Sequence, residues 1–277
     1  MSLINYMCKG LKRRFRIAGK RVGLELRRQF SGKTVWIDYG WMQLPYHGDG
    51  DLQELYYHLY GAEWWLKEWR LLAPYVKPDA VIVDVGANLG FLTTLFSKLT
   101  SGTGQVHSFE PSPVVFGKLR EVVSMNALKN VRLHNMGCGE KKETLRLQFT
   151  ESSGNSSLRL RRELVAYVRD VQDVEVVRLD DYLAPELTRL DLLKIDTEGF
   201  EDCVIAGTMK TLECFRPVIY LELTSEYLEP SRRALALLKS LGYYFPIEPM
   251  LEECHNGENF IALPPCRSRG NRVSLGD

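Results

Sequence analysis

The chain has 277 residues, is 45% hydrophobic and carries a formal net charge of +1, enough apolar material for a sizeable core and no overall charge that predicts a partner. Its six cysteines are scattered with no C-x-x-C pair and its five histidines do not cluster, which argues against a zinc site and a small disulfide scaffold. No apolar run reaches the ~20 residues that span a bilayer, and the first thirty residues are too interrupted by charge for a signal peptide, so a cytoplasmic or membrane-surface protein is expected.

Charge is uneven along the chain. Residues 1–33 hold ten Lys/Arg against the single acid Glu25, leaving 26 basic and 34 acidic residues elsewhere. Within that segment Ile4, Met7, Leu11, Phe15, Ala18, Val22 and Leu26 form one apolar stripe at helical spacing, the pattern of a basic amphipathic helix. Such a helix suits peripheral contact with an anionic membrane; packing on its own domain or on a second subunit fits equally, and nucleic acid is not the favoured partner. Gly10, Gly19 and Gly23 each weaken an isolated helix by roughly 1 kcal/mol. Residues 1–50 are therefore read as an N-terminal extension, 51–264 as the main domain and 265–277 as a loose tail.

After a short strand at 34–39, Trp41 to Gly50 reads as turn, and Leu52 to Leu72 as two helical pieces whose Trp64, Trp65 and Trp69 are core aromatics. Strand and helix then alternate. Val81 to Val85 is an apolar β-branched strand, the turn Gly86-Ala87-Asn88-Leu89-Gly90 follows, and a helix runs to Leu99. Gln105 to Phe109 is a second strand; Ser112 as N-cap and Pro113 at the first position start a second helix; Val131 to Met136 is a third strand. A more polar stretch, about 140–185, reads as a β insertion containing the loop Ser152 to Ser157. The sheet resumes at Leu190 to Asp196, a helix runs from Thr197 toward Leu212, Pro217 to Leu223 is a strand, and a helix ends before Gly242. Tyr243 to Pro246 and Asn259 to Leu263 are two final strands. This is an α/β chain with a mostly parallel sheet covered by helices on both faces.

In such sheets ligands bind beyond the carboxyl ends of the strands. Asp84 and the glycine turn end the first strand there, Glu110 the second, Gly137 and Cys138 the third, Asp196 the next and Glu222 the one after. An acid ending the second strand can accept both hydroxyls of a ribose. Asn88 stands where a dinucleotide fingerprint has its middle glycine, and Asp84 beside the turn disfavours a pyrophosphate but suits the ammonium of a methionine moiety. The expected cofactor is S-adenosylmethionine.

The runs Asp84 to Gly90, Phe109-Glu110-Pro111-Ser112-Pro113, Arg178-Leu179-Asp180-Asp181-Tyr182-Leu183 and Leu192 to Glu201 together resemble the FkbM family of S-adenosylmethionine-dependent methyltransferases, over roughly residues 64–263. The resemblance implies the class I methyltransferase fold, with seven strands of which the last is antiparallel, and O-methylation of a sugar, glycolipid or secondary metabolite. It implies that Asp84, Gly86 and Asn88 hold the methionine part, Glu110 the ribose, and Gly137 with Cys138 the adenine edge, with Gly90 also among the cofactor-binding residues. Asp196 would lie nearest the reacting sulfur, with Asp196, Glu198 and Glu222 as catalytic acids. Those acids, with Glu201, can serve as proton acceptor or hold a divalent cation; for Glu201 a place at a helix N-terminus weighs as much. His107 is expected to be a core histidine and Lys194 to close an ion pair. The rival reading is a non-catalytic module that keeps the fold and works through residues 1–33.

Overall fold

The computed structural model describes residues 35–38, 42–47, 67–100, 104–149, 156–159, 168, 170–254 and 257–265. The amphipathic segment 1–33, most of the loop Ser152 to Ser157, and the tail from 266 fall outside them. Strands β1 (Val35–Asp38) and β2 (Gln43–Tyr46) form an antiparallel hairpin, so part of the expected turn after Trp41 is extended. Residues 67–72 are helical and lead to β3 (Val81–Val85). Then come α1 (Phe91–Leu99), β4 (Gln105–Phe109), α2 (Pro113–Met125) and β5 (Val131–His134). As the sequence predicts, Ser112 caps α2, its Oγ accepting the Val115 amide at 3.2 Å, with Pro113 at the first position.

The polar insertion builds a separate three-stranded sheet from β6 (Gly137–Cys138), β7 (Glu143–Phe149) and β8 (Asp170–Val177), in the order β6-β8-β7. A short helix α3 (Leu179–Tyr182) returns the chain to β9 (Leu192–Ile195). The single helix expected from Thr197 is two: α4 (Glu201–Ala206) and α5 (Met209–Phe215). The break has a cause in Asp180, whose buried carboxylate accepts the Thr211 amide at 2.8 Å and hydroxyl at 2.7 Å, capping α5 from outside. Gly207 lets the joint press onto the chain at Gly139, where an added Cβ would lie 1.9 Å from the carbonyl oxygen. Strand β10 (Val218–Leu223), helix α6 (Leu228–Ser240) and β11 (Glu258–Ala262) complete the fold.

The main sheet runs β11-β10-β9-β3-β4-β5, all parallel except β11, which pairs antiparallel with β10. It has six strands among the described residues where seven were expected. The missing one is the Tyr243 to Pro246 segment, reduced to a single bridge between Tyr244 and Leu263. Pro246 has no amide to continue a ladder, and Tyr244 itself is half exposed. Helices α4 and α6 bury one face of the sheet around Val83, Val85, Ile195 and Leu221; α1 and helix 67–72 bury the other around Ile82, Leu95, Phe96 and Leu192. Each such side chain contributes on the order of 1.5–3 kcal/mol.

That second face carries a polar row just below the strand ends. Ser108, Asp84, Lys194 and Tyr220 stand opposite one another on β4, β3, β9 and β10. The buried Lys194 ammonium sits 3.2 Å from Asp84 Oδ1 and donates to the carbonyls of Val85 (3.1 Å) and Gly86 (2.6 Å), while Thr93 Oγ1 donates to Asp84 Oδ2 at 2.6 Å. Lys194 thus does more than close an ion pair: it fastens β9 to the turn after β3. Replacing Lys194 by Met leaves the Asp84 carboxylate buried without a counter-charge and should lower unfolding free energy by about 3–5 kcal/mol in urea titrations.

Candidate functional site

Above that row a cavity of about 650 Å³ opens at the carboxyl ends of β3, β4, β9 and β10. One wall is the turn after β3. Gly86 has φ +78°, and an added Cβ would meet the Asp196 carbonyl oxygen at 1.8 Å, so only glycine lets the ends of β3 and β9 approach. Asn88 (φ +49°) turns its Oδ1 to its neighbour's amide, accepting from Leu89 N at 2.7 Å.

Glu110 sits at the end of β4, almost wholly buried on the cavity wall. Its Oε2 accepts the Asn88 amide and its Oε1 the Ser112 amide, both at 2.9 Å. Burial pushes its pKa up to about 7, against the lowering effect of those amides and of Lys194. Each oxygen keeps a lone pair for a further donor. Beyond Glu110 the wall turns apolar, with Phe109, Val115, Met136, Leu147, Leu158 and Phe200, and includes Gly137 and Cys138. The Cys138 thiol is buried, which raises its pKa well above the usual value and keeps it protonated. Behind Phe109 stacks His134, whose Nε2 lies 3.3 Å from Nδ1 of His107. Burial and the neighbouring His134 hold His107 down to about 4, a neutral core histidine as the sequence suggested.

Across the turn lies an acidic group. Carboxylate oxygens of Asp196, Glu198 and Glu222 all come within 4.8 Å of one another. Asp196 Oδ2 is 3.6 Å from Lys194 Nζ. Glu222 is pushed well above the ordinary carboxylate range by burial first, then by Asp196, Glu198 and Glu201. Room for it comes from Gly257 (φ +76°), where a Cβ would touch Glu222 Oε1 at 2.1 Å. Glu198 is held at φ +54° beside Gly199 at +94°, a turn fixed from two sides. Below it, the buried Glu201 Oε1 accepts from Thr197 N (2.9 Å), Thr197 Oγ1 (2.9 Å) and Gly199 N (3.2 Å). From the insertion, Ser157 Oγ donates to the Glu198 carbonyl at 2.6 Å and Arg159 to the Gly199 carbonyl at 2.9 Å.

Gly86, Asn88, Glu110, Gly137, Cys138, Asp196, Glu198 and Glu222 therefore share one cavity. Two residues expected with them do not line it. Asp84 lies within β3 rather than after it, and strand alternation sends its side chain down to Thr93 and Lys194, fully buried. Gly90 faces α2, where an added Cβ would meet Leu119 Cδ1 at 2.5 Å; it serves helix packing. Missing from the sequence-based set were Lys67 and Glu68, which also line the cavity from helix 67–72. The aromatic pattern of that segment concealed them; an acid beside three tryptophans was the available signal.

The family model described as the methyltransferase FkbM domain matches residues 84–245. Methyltransferase 1 of Beauveria bassiana (strain ARSEF 2860) is 32% identical over 154 residues, 49% of this chain and 61% of that protein, so the match spans less than two thirds of its length. The 2-O-methyltransferase NoeI of Sinorhizobium fredii (strain NBRC 101917 / NGR234) is 32% identical over 183 residues, covering 59% of this chain and 73% of NoeI. The 31-O-demethyl-FK506 methyltransferase FkbM of Streptomyces tacrolimicus is 29% identical over 185 residues, 57% of this chain and 69% of that one.

The matched span contains the turn at Glu198 and the acid beneath it. Truncating Glu201→Ala strips three donors of their acceptor and should cost about 3 kcal/mol of stability by urea denaturation, whereas Glu201→Gln, which keeps a carbonyl oxygen there, should cost clearly less.

Proposed function

The chain belongs to the FkbM methyltransferase family, and we propose that it moves a methyl group from S-adenosylmethionine to a hydroxyl of a sugar, glycolipid or secondary metabolite. The observation that carries this reading is the division of one cavity between a ribose-type acid, Glu110, and a group of three carboxylates on the far side of a glycine turn. The side chains fit the cofactor. Six acids (Glu68, Glu110, Asp196, Glu198, Glu222, Glu258) line the cavity with two lysines (Lys67, Lys194), an excess of negative charge that attracts a ligand bearing a sulfonium and an ammonium. When bound, S-adenosylmethionine supplies an electrophilic methyl on a sulfur that leaves as a neutral thioether.

The chain's own residues do the rest. Glu110 accepts the two ribose hydroxyls on lone pairs its backbone partners leave open, and the apolar wall with Gly137 and Cys138 takes the adenine. Gly86 and Asn88 let the methionine part approach the backbone of the turn. Asp196, next to the turn, would face the sulfur-bearing part of the cofactor. An alcohol needs its proton removed as it attacks, and Glu222, which burial and three neighbouring acids make more basic than an ordinary carboxylate, is the group that accepts it. Glu198 and Asp196 accept from other donors on the acceptor and so hold its reacting hydroxyl toward Glu222. The names of two relatives, NoeI and FkbM, specify O-methylation, which supports a hydroxyl acceptor. They do not favour a non-catalytic module.

A second reading of the acid group is favoured by its spacing: carboxylate oxygens within 4.8 Å can share one divalent cation, which would acidify the acceptor hydroxyl directly.

Two measurements test this assignment. Glu110 must be charged to take both ribose hydroxyls, so S-adenosylhomocysteine affinity should rise about tenfold from pH 6 to pH 8, following its pKa of about 7, and the slope should flatten in Glu110→Gln. In the second, with a hydroxylated acceptor found by screening, Glu222→Gln should lower kcat at least about 100-fold and leave S-adenosylhomocysteine binding intact. Activity unaffected by EDTA assigns Glu222 the proton; activity lost with EDTA and restored by Mg²⁺ assigns the three acids a cation.

A further inference from the structure

Helix 67–72 lies upstream of the family-matched span, yet it brings Glu68 into the cavity wall with only 1% of its surface exposed. Burying a carboxylate so completely is costly unless something offsets its charge. The hydroxyl of Tyr220 donates to Glu68 Oε2, which satisfies one oxygen with a neutral group. Among the described residues no ammonium or guanidinium reaches Glu68 at ion-pair distance; Lys67 and Lys194 act on it only from further away. Every other acid of the cavity has an evident use. Glu110 is committed to two backbone amides, Asp196 stands 3.6 Å from Lys194, Glu198 and Glu222 belong to the group that faces the acceptor, and Glu258 is exposed at the rim.

Position narrows the role. Glu110 fixes the adenosine end at β4. Tyr220 is on β10, directly opposite Lys194 on β9, and Lys194 holds the carbonyl of Gly86. Glu68 therefore stands on the other side of the β3 turn from Glu110, on the face covered by α1. A ligand anchored by its ribose at Glu110 and laid across the Gly86 turn brings its amino-acid end to that side. The group such an end offers to a buried carboxylate is an ammonium, and a charge-assisted hydrogen bond between them would supply a counter-charge that none of the described residues brings to ion-pair distance.

We propose that Glu68, positioned by Tyr220, receives the α-ammonium of the methionine moiety, so that the helix preceding the family domain completes the cofactor site. The proposal rests on the S-adenosylmethionine reading, and a pair of ligands separates the two. S-adenosylhomocysteine carries the amino-acid end; 5′-methylthioadenosine has the same adenosine and thioether without it. By calorimetry on the full chain, Glu68→Gln should weaken S-adenosylhomocysteine about tenfold or more and change 5′-methylthioadenosine less than about twofold. Tyr220→Phe, which keeps the buried ring and removes only the hydroxyl, should produce the same selectivity in milder form and serves if the Glu68 variant does not fold. Equal losses for both ligands, or no loss for either, would overturn the assignment of Glu68. Failure of the unmodified protein to bind either ligand would overturn the cofactor reading beneath it.

Discussion

A single buried ammonium sets the geometry on which the site depends. Lys194 neutralises Asp84, takes the carbonyls of Val85 and Gly86, and keeps Asp196 within reach. The Val85 carbonyl also accepts the Asp196 amide at 3.2 Å, and the Gly86 and Ala87 amides donate to the Phe109 carbonyl of β4, so the ammonium adds a donor where the ladder of the sheet ends. With it, the β3 turn and the β9 end form one rigid lip. Gly86 completes the contact, since any side chain there would strike the Asp196 carbonyl. Stability and function are therefore written in the same atoms: the ion pair that stabilises the centre of the sheet also aims Asp196 into the cavity.

Much of this was legible in the sequence because the central strands are apolar runs punctuated by glycine and proline, and because acids at strand ends are conspicuous against them. The turn after β3, the Ser112 cap and Glu110 all follow from such local chemistry. Other features were not, for reasons that are physical. Asp84 looks like part of the turn, but it is the penultimate residue of β3, and a one-residue difference in a strand decides between cavity and core. Tyr243 to Pro246 has the composition of a strand, but its pairing stops at the Tyr244 bridge and Pro246 has no amide to extend it. Glu201 reads as an ordinary acid in a first helical turn; that it gathers three donors from residues 197 to 199 depends on a backbone reversal at Glu198 which periodicity cannot reveal. Glu68 was hidden by its neighbours, since a run of tryptophans suggests core and the partner that singles it out, Tyr220, lies far along the chain.

The cavity's acidity explains why its carboxylates differ so much from one another. Crowding several acids where water is scarce forces them to divide the available protons, and the division follows their partners. Burial raises Glu110 to about 7 against the pull of its amides, whereas Glu222 is raised by burial and then by three acids nearby. One constellation can thus present a hydrogen-bond acceptor at one end and a proton carrier at the other, with the same residue type throughout.

The boundaries of the family-matched span give one structural feature a practical meaning. Residues 84–245 end before Gly257, which sits beside Glu222, and before β11, which covers the outer edge of β10. A fragment cut at those limits would bare a six-residue parallel-sheet edge of mostly buried apolar residues, the type of surface that recruits other chains into fibrous or amorphous assemblies. Sequence similarity and physical self-sufficiency thus have different borders here. Both flanks reach the cavity, the N-terminal one through Lys67 and Glu68 and the C-terminal one through Gly257, Glu258 and Asn259, so a fragment confined to the matched span would lose part of the cavity wall as well as the cover of its sheet edge.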